Sequence, residues 1–157
     1  MRILIIEDGH EYHELFSRFL PRDQWIRVGS GPAALDWLGR EVADAIFLDM
    51  RFDRAPPAEL LGDLDQAAER FNGDPVQARA FLEDHQGHFI LAALRQRGVA
   101  LPVLLAADLS EEPRRWARLA ARYAPLDGLP EGAGPDEARS LLQAMVGGHP
   151  EGGDRGP

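Results

Sequence analysis

Residues 45–50, AIFLDM, run apolar through Leu48 and stop at Asp49. This is the pattern of a strand covered on both faces whose last side chain reaches a cleft. Read alone, Asp49 is a nucleophile, a metal ligand or only the polar end of a strand. What the rest of the chain sets beside it decides. A second run, RILII at 2–6, ends in Glu7 and Asp8, and LPVLLAAD at 101–108 is again apolar on both faces. WIRV at 25–28 and PLDGL at 125–129 complete five strand signals.

Helical patterns separate them. Tyr12, Leu15, Phe16, Phe19 and Leu20 recur at helical spacing until Pro21 stops them. Pro32 opens a second helix through Ala34, Leu35 and Leu38, ending near Gly39. Ser110 is placed to cap EEPRRWARLAARY, with Trp116, Leu119, Ala120 and Tyr123 as its apolar stripe, and PDEARSLLQAMV turns Leu141, Leu142 and Met145 inward. Strand and helix in alternation predict an α/β fold, a doubly wound five-stranded parallel sheet. About fifty residues separate the third and fourth strands, where one crossover helix suffices. PAELLGDLDQAAERF predicts one extra helix through Leu60, Leu61, Leu64, Ala67, Ala68 and Phe71. NGDPVQARAFLEDHQG predicts another, with Asp74 as cap and Pro75 at its first position, and HFILAALRQRG then supplies the crossover. The organisation expected is one domain over 1–146, with an insertion over about 52–87 able to cover the cleft, and a disordered tail over 147–157.

Composition narrows the function. The formal charge of −9 repels phosphate backbones, which argues against nucleic acid as a partner. Without cysteine there is neither a disulfide framework nor a thiolate zinc site, and no lysine exists, every basic residue being arginine. MRILIIEDGHEY meets acids too early for a signal-peptide core, and no 18 apolar residues run together, so no membrane segment and a cytoplasmic location are expected.

In an open parallel sheet, chemistry sits beyond the carboxyl ends of the strands where their order reverses. In the order 2-1-3-4-5 the first and third strands are neighbours, so Glu7, Asp8 and Asp49 converge. Such an oxygen set suits Mg²⁺; without a cation the carboxylates raise one another's pKa. His10 with His13, and His85 with His88, are weaker metal pairs, more simply read as surface histidines. GSGP at 29–32 lacks the lysine of a phosphate loop, and Ser17, Ser30, Ser110 and Ser140 lie in no nucleophile elbow.

ILIIED, AIFLDM and LPVLLAAD, in that order, resemble the receiver domain of two-component response regulators, and the five strand–helix units match over nearly the whole chain apart from the insertion and tail. The resemblance implies a flavodoxin-like fold, with Mg²⁺ held by the Glu7–Asp8 acidic pair, Asp49 and the backbone carbonyl of Arg51, and Asp49 accepting a phosphoryl group from a partner histidine kinase. It also implies that any output passes through a downstream protein, with pairing through the last two helices. Two positions depart from the family. Ala107 stands where a threonine or serine hydroxyl contacts the phosphoryl oxygen, and Leu129, before Pro130 in GLPEG, stands where a lysine precedes a proline, commonly with a cis bond. Each lost contact to a charged group is worth roughly 1.5–3 kcal/mol, against about 5.5 kcal/mol needed to drive a switch from 1:99 to 99:1. The expectation is a stand-alone degenerate receiver acting as a phosphorylation-independent interaction module rather than an enzyme. The alternative is a phosphate-accepting relay or sink using Asp49 and Mg²⁺, in which Arg51 or Arg54 grips the phosphoryl group with paired hydrogen bonds.

Overall fold

The computed structural model describes residues 1–108, 110, 112–130 and 132–148. Five parallel strands, β1 Arg2–Ile6, β2 Gln24–Val28, β3 Ala45–Asp49, β4 Val103–Ala106 and β5 Leu126–Gly128, lie in the order β2-β1-β3-β4-β5. The expected sheet is therefore the observed one. Helices α1 Glu11–Phe19, α2 Gly31–Leu38, α5 Gln86–Gln96, α6 Pro113–Arg122 and α7 Pro135–Gly147 connect and flank it. Ile3, Leu4, Ile5 and Ile6, and likewise Ala45, Ile46, Phe47 and Leu48, are fully buried. Alternate residues of each run face opposite layers, as a sheet sandwiched between helices requires. Ile3, Ile5 and Phe47 pack with Phe16, Ala138 and Leu142 of α1 and α7. Leu4, Ile6, Ile46 and Leu48 pack with Ala34, Ile90, Leu91 and Leu94 of α2 and α5.

Local chemistry sets the element ends. Ser30 of GSGP caps α2, its hydroxyl accepting the Ala33 N–H at 3.2 Å, which gives that motif a structural use. On α1, Phe16 and Leu20 are buried while Leu15 and Phe19 are exposed, so the apolar face is narrower than its spacing predicts. Ser110 does not cap α6, whose N-cap is Glu112, and the stripe through Trp116, Leu119, Ala120 and Tyr123 is only half-buried. Arg95 is placed structurally: it donates to the carbonyls of Tyr123, Val99, Leu101 and Pro125, tying together the loops that enter β4 and β5. Among the described residues the cis peptide bond is Ala124–Pro125, ahead of β5, not the Leu129–Pro130 bond singled out in the sequence. Residues 149–157, most of the expected tail, lie outside the described residues; Gly147 ends α7.

The insertion holds two helices, α3 Leu64–Glu69 and α4 Pro75–Asp84, and a 3-10 turn over Pro57–Glu59. The first predicted helix is thus broken. Gly62 adopts φ 106°, open to glycine at little cost, and Asp63 then caps α3 by accepting the Asp65 and Gln66 N–H groups. The break divides the apolar residues. Phe52, Ala55, Leu60 and Leu61 join the main core, whereas Ala67, Ala68, Phe71, Ala78, Phe81, Leu82 and Phe89 form a small core of their own. Gln86, with no exposed surface, joins the two parts: its Oε1 accepts the Leu61 N–H at 2.7 Å, and its Nε2 donates to the carbonyls of Leu61 and Leu82. Gln86→Ala orphans these buried backbone groups, so we expect a loss of about 3 kcal/mol from equilibrium urea unfolding. A change below about 1 kcal/mol would show that water replaces the side chain there.

Candidate functional site

The site forms where β1 and β3 end together. Parallel pairing of Ile6 with Leu48 brings the residues that follow, Glu7 and Asp8 on one strand and Asp49 on the other, to the same edge. Gly87, at the start of α5, closes the floor: its N–H donates to the Met50 carbonyl at 2.9 Å, and a Cβ there would stand 2.7 Å from the Asp49 carbonyl oxygen. Only glycine lets the crossover helix begin so close to the strand end.

Each acid has a different setting. Glu7 is 1% exposed, and its carboxylate accepts the N–H groups of Tyr12 at 3.2 Å and His13 at 2.8 Å, in the first turn of α1. It serves that helix terminus, whose positive dipole end favours an anion, rather than the cleft. Burial raises its pKa against those two hydrogen bonds, which lower it. Asp8, whose side chain is 2% exposed, accepts the Arg54 N–H on Oδ2 at 2.6 Å and lies 3.9 Å from the Arg54 guanidinium through Oδ1. Asp49 accepts the Met50 N–H at 2.8 Å. Its pKa is pushed up to about 6, chiefly by burial, partly offset by the Met50 N–H and raised further by the charges of Asp8 and Glu7. The half-buried Tyr12 lies between α1 and the sheet with its ring 4.7 Å from that of Phe47, and its hydroxyl pKa is raised by burial first and then by Asp49.

The two candidate arginines diverge. Arg51 pairs with Asp84 at 3.1 Å and Asp53 at 3.5 Å. Arg54 instead grips Glu11 with two parallel hydrogen bonds, 2.8 and 3.0 Å, beside Asp8. This holds Glu11 down to about 2 and raises Arg54. A third arginine belongs to the site and carried no motif: Arg27 of β2 donates to the carbonyls of Gly9, Glu7 and Asp8, fixing the β1–α1 loop from behind. Its only sequence trace is a charge in a strand otherwise rich in apolar residues.

The remaining predicted residues sit elsewhere or lack their expected chemistry. Ala107 follows the last residue of β4, its N–H turned back on the Leu105 carbonyl at 2.9 Å. Leu129 is 9% exposed and packs into the core with Ile3, Phe47 and Leu104. The His13 ring is hydrogen-bonded to the Trp25 carbonyl, and His85 to the Phe81 carbonyl, so neither histidine pair is arranged as a metal site. Among the described residues no group of three or more His, Asp or Glu side chains is placed to hold a metal ion. The three carboxylates expected from the sequence share one edge, but the Glu7 oxygens are occupied by the amides of α1 while its charge still acts on Asp49. The pair that remains, Asp8 and Asp49, is hard-oxygen chemistry that fits Mg²⁺, which takes one or two carboxylates and keeps several waters.

The fold is that of a receiver domain. The structure resembles the Francisella response regulator 1452 receiver domain, at 14% identity and a TM-score of 0.61, over 93% of this chain and 96% of that one. It resembles the receiver domain of a signal transduction histidine kinase from Syntrophus aciditrophicus at 18% identity and 0.62, over 99% and 97%. The chemotaxis response regulator CheY4 of Vibrio cholerae matches at 15% and 0.60, over 92% and 97%. At these identities the likeness is one of fold. No family model matches the sequence, and no curated protein matches it. Among the described residues no helix is long and apolar enough to cross a membrane.

The raised Asp49 pKa gives a pH dependence with a definite sign. The folded value of about 6 lies above the ordinary 3.8, so the neutral acid is favoured on folding. That contribution is complete below about pH 4 and is lost as pH rises through 6. Asp49→Asn keeps the oxygen that accepts the Met50 N–H and cannot ionise. Without divalent cation we expect it to be more stable than the native chain by about 3 kcal/mol at pH 7 and equal to it near pH 4. Urea unfolding at the two pH values measures both; equal stability at pH 7 would refute the electrostatic strain.

Proposed function

We propose that the chain is a receiver-fold protein-interaction module in signalling whose output does not depend on phosphorylation of Asp49. The observation that most supports this reading is Leu129. At the end of β5 it turns an apolar side chain into the core, where a receiver would hold an ammonium over the phosphoryl group. Ala107 likewise offers a methyl in place of a hydroxyl. With both contacts gone, a phosphoryl group on Asp49 has neither of the usual handles for drawing the β4–α6 loop and β5 inward.

The activity is then binding rather than catalysis, and the partner is a protein, either a histidine kinase or a downstream signalling component. The insertion suits docking, because Leu64 and Val76 are 44% and 75% exposed on its outer helices while its base is anchored in the main core. The alternative, a phosphate acceptor that serves as relay or sink, is favoured by one feature: Asp49 and Asp8 retain the paired carboxylates that Mg²⁺ and in-line transfer need. In that reading Arg54, beside Asp8, is better placed than Arg51 to meet a phosphoryl oxygen.

Beryllofluoride with Mg²⁺, a stand-in for the acyl phosphate, separates the two by amide NMR. For the module we expect no shift changes in α6 and β5, and binding to a captured partner unchanged by Asp49→Asn. Changes running through residues 103–128 would overturn the phosphorylation-independent reading, and loss of partner binding in Asp49→Asn would do so separately.

A further inference from the structure

We infer that Arg54 is a built-in counter-cation of the acidic pocket, a clamp through which the insertion holds the β1–α1 loop shut and competes with a divalent cation for Asp8. Three observations carry this. First, Arg54 is bound twice over to elements outside its own segment: its N–H donates to Asp8 at 2.6 Å, and its guanidinium makes the two-pronged pair with Glu11. Exposed ion pairs generally contribute little, but a bidentate arginine–carboxylate pair is the favourable case. Second, the sequence makes room for the pair. A Cβ on Gly9 would overlap both the Glu11 carboxylate and the Arg54 guanidinium, so any larger residue there shifts the pair from this arrangement. Third, the opposite side of the loop is already immobilised, since Arg27 holds the carbonyls of Gly9, Glu7 and Asp8 from β2. Arg54 is therefore the side of the enclosure that can open.

The consequence is an exclusion. Asp8 is almost wholly buried, with one carboxylate oxygen bonded to the Arg54 N–H and the other 3.9 Å from its guanidinium. A divalent cation that reaches Asp8 meets that positive charge and must displace Arg54 from it. By reciprocity, whatever draws the insertion away from Glu11 raises cation affinity by the same factor that the cation loosens the insertion. The backbone on either side of Arg54 is anchored: Phe52 and Ala55 are buried in the core, and the Phe52 N–H donates to the Glu83 carbonyl. A change at the pocket therefore reaches the end of α4 directly. The inference is separate from the function proposed above, since it concerns cation and clamp whether or not Asp49 is ever phosphorylated.

The experiment is calorimetric titration of the full chain with MgCl₂, alongside hydrogen–deuterium exchange of residues 51–56. Two variants open the clamp by different means: Arg54→Ala removes the charge, and Gly9→Ala displaces both partners while leaving every charge in place. Both are expected to bind Mg²⁺ at least about tenfold more tightly than the native chain, within the usual range of coupling between sites. In the native chain, saturating Mg²⁺ should accelerate exchange of the Arg54 amide, and Gly9→Ala should do so without metal. Equal Mg²⁺ affinity in all three proteins, no detectable binding in any of them, or an Arg54 amide that stays protected at saturating Mg²⁺ would each overturn the inference. Urea unfolding of each variant confirms that the comparison is between folded proteins, and Gly9→Ala alone suffices should Arg54→Ala fail to fold.

Discussion

The structure turns on one electrostatic constraint. Parallel pairing of β1 with β3 places three carboxylates at one edge of a buried sheet, and like charges taken out of water must be paired, hydrogen-bonded or neutralised. The chain uses a different solution for each. Glu7 faces the first turn of α1, Asp8 accepts an amide from the insertion, and burial raises the pKa of Asp49 to about 6. The three solutions recruit α1, the inserted segment and the floor beneath α5, so the conformation of each depends on keeping its acid satisfied.

The sheet and its edge were legible because they rest on short-range signals. The apolar runs through Ile6 and Leu48 and the acids that end them give strand, burial and position together. The acids' individual roles were not legible. Nothing in the order of residues says that Glu7 turns back to amides five and six positions on, although an acid just ahead of a helix is a known capping partner. Arg51 and Arg54 read as equivalent because each follows Asp49 closely. They were separated by partners distant in sequence, Asp84 for one and Glu11, 43 positions away, for the other. The inserted helix failed for a local reason that spacing overrode: Gly62 and Asp63 interrupt a periodic run, and Leu60 and Leu61 belong to a different core from Ala67.

The two positions on which the proposed function rests, Ala107 after β4 and Leu129 after β5, differ in kind. Ala107 merely omits a hydroxyl and leaves its backbone in a tight turn. Leu129 is an apolar side chain recruited to the layer formed with Ile3, Phe47 and Leu104. Burying a leucine contributes about 1.5–3 kcal/mol, so this position now supports the resting fold. Restoring an ammonium there would cost packing as well as supply a contact. Leu129 is therefore tied to the core in a way that Ala107 is not, which is why it weighs more in the functional reading.

The insertion, finally, is not a loose appendage. Its base is fixed at three points. Phe52 and Leu61 lie in the main core, Gln86 bonds the Leu61 backbone, and Gly31 is needed because a Cβ would come within 2.6 Å of the Leu61 side chain. Its outer half is a pair of helices around a core of three buried residues, Ala67, Ala78 and Leu82, joined to the rest mainly through Phe89 and Gln86. Such a core contributes little cooperativity with the sheet, so α3 and α4 can adjust to a partner at small cost to the domain. The Arg54 segment of the insertion is bonded to Asp8, and the Phe52 N–H bond to the Glu83 carbonyl joins that segment to the end of α4. An influence of a docked partner on Asp8, or of a cation at Asp8 on the partner, has a covalent and hydrogen-bonded route here through which to act, reinforced by the Arg51–Asp84 pair.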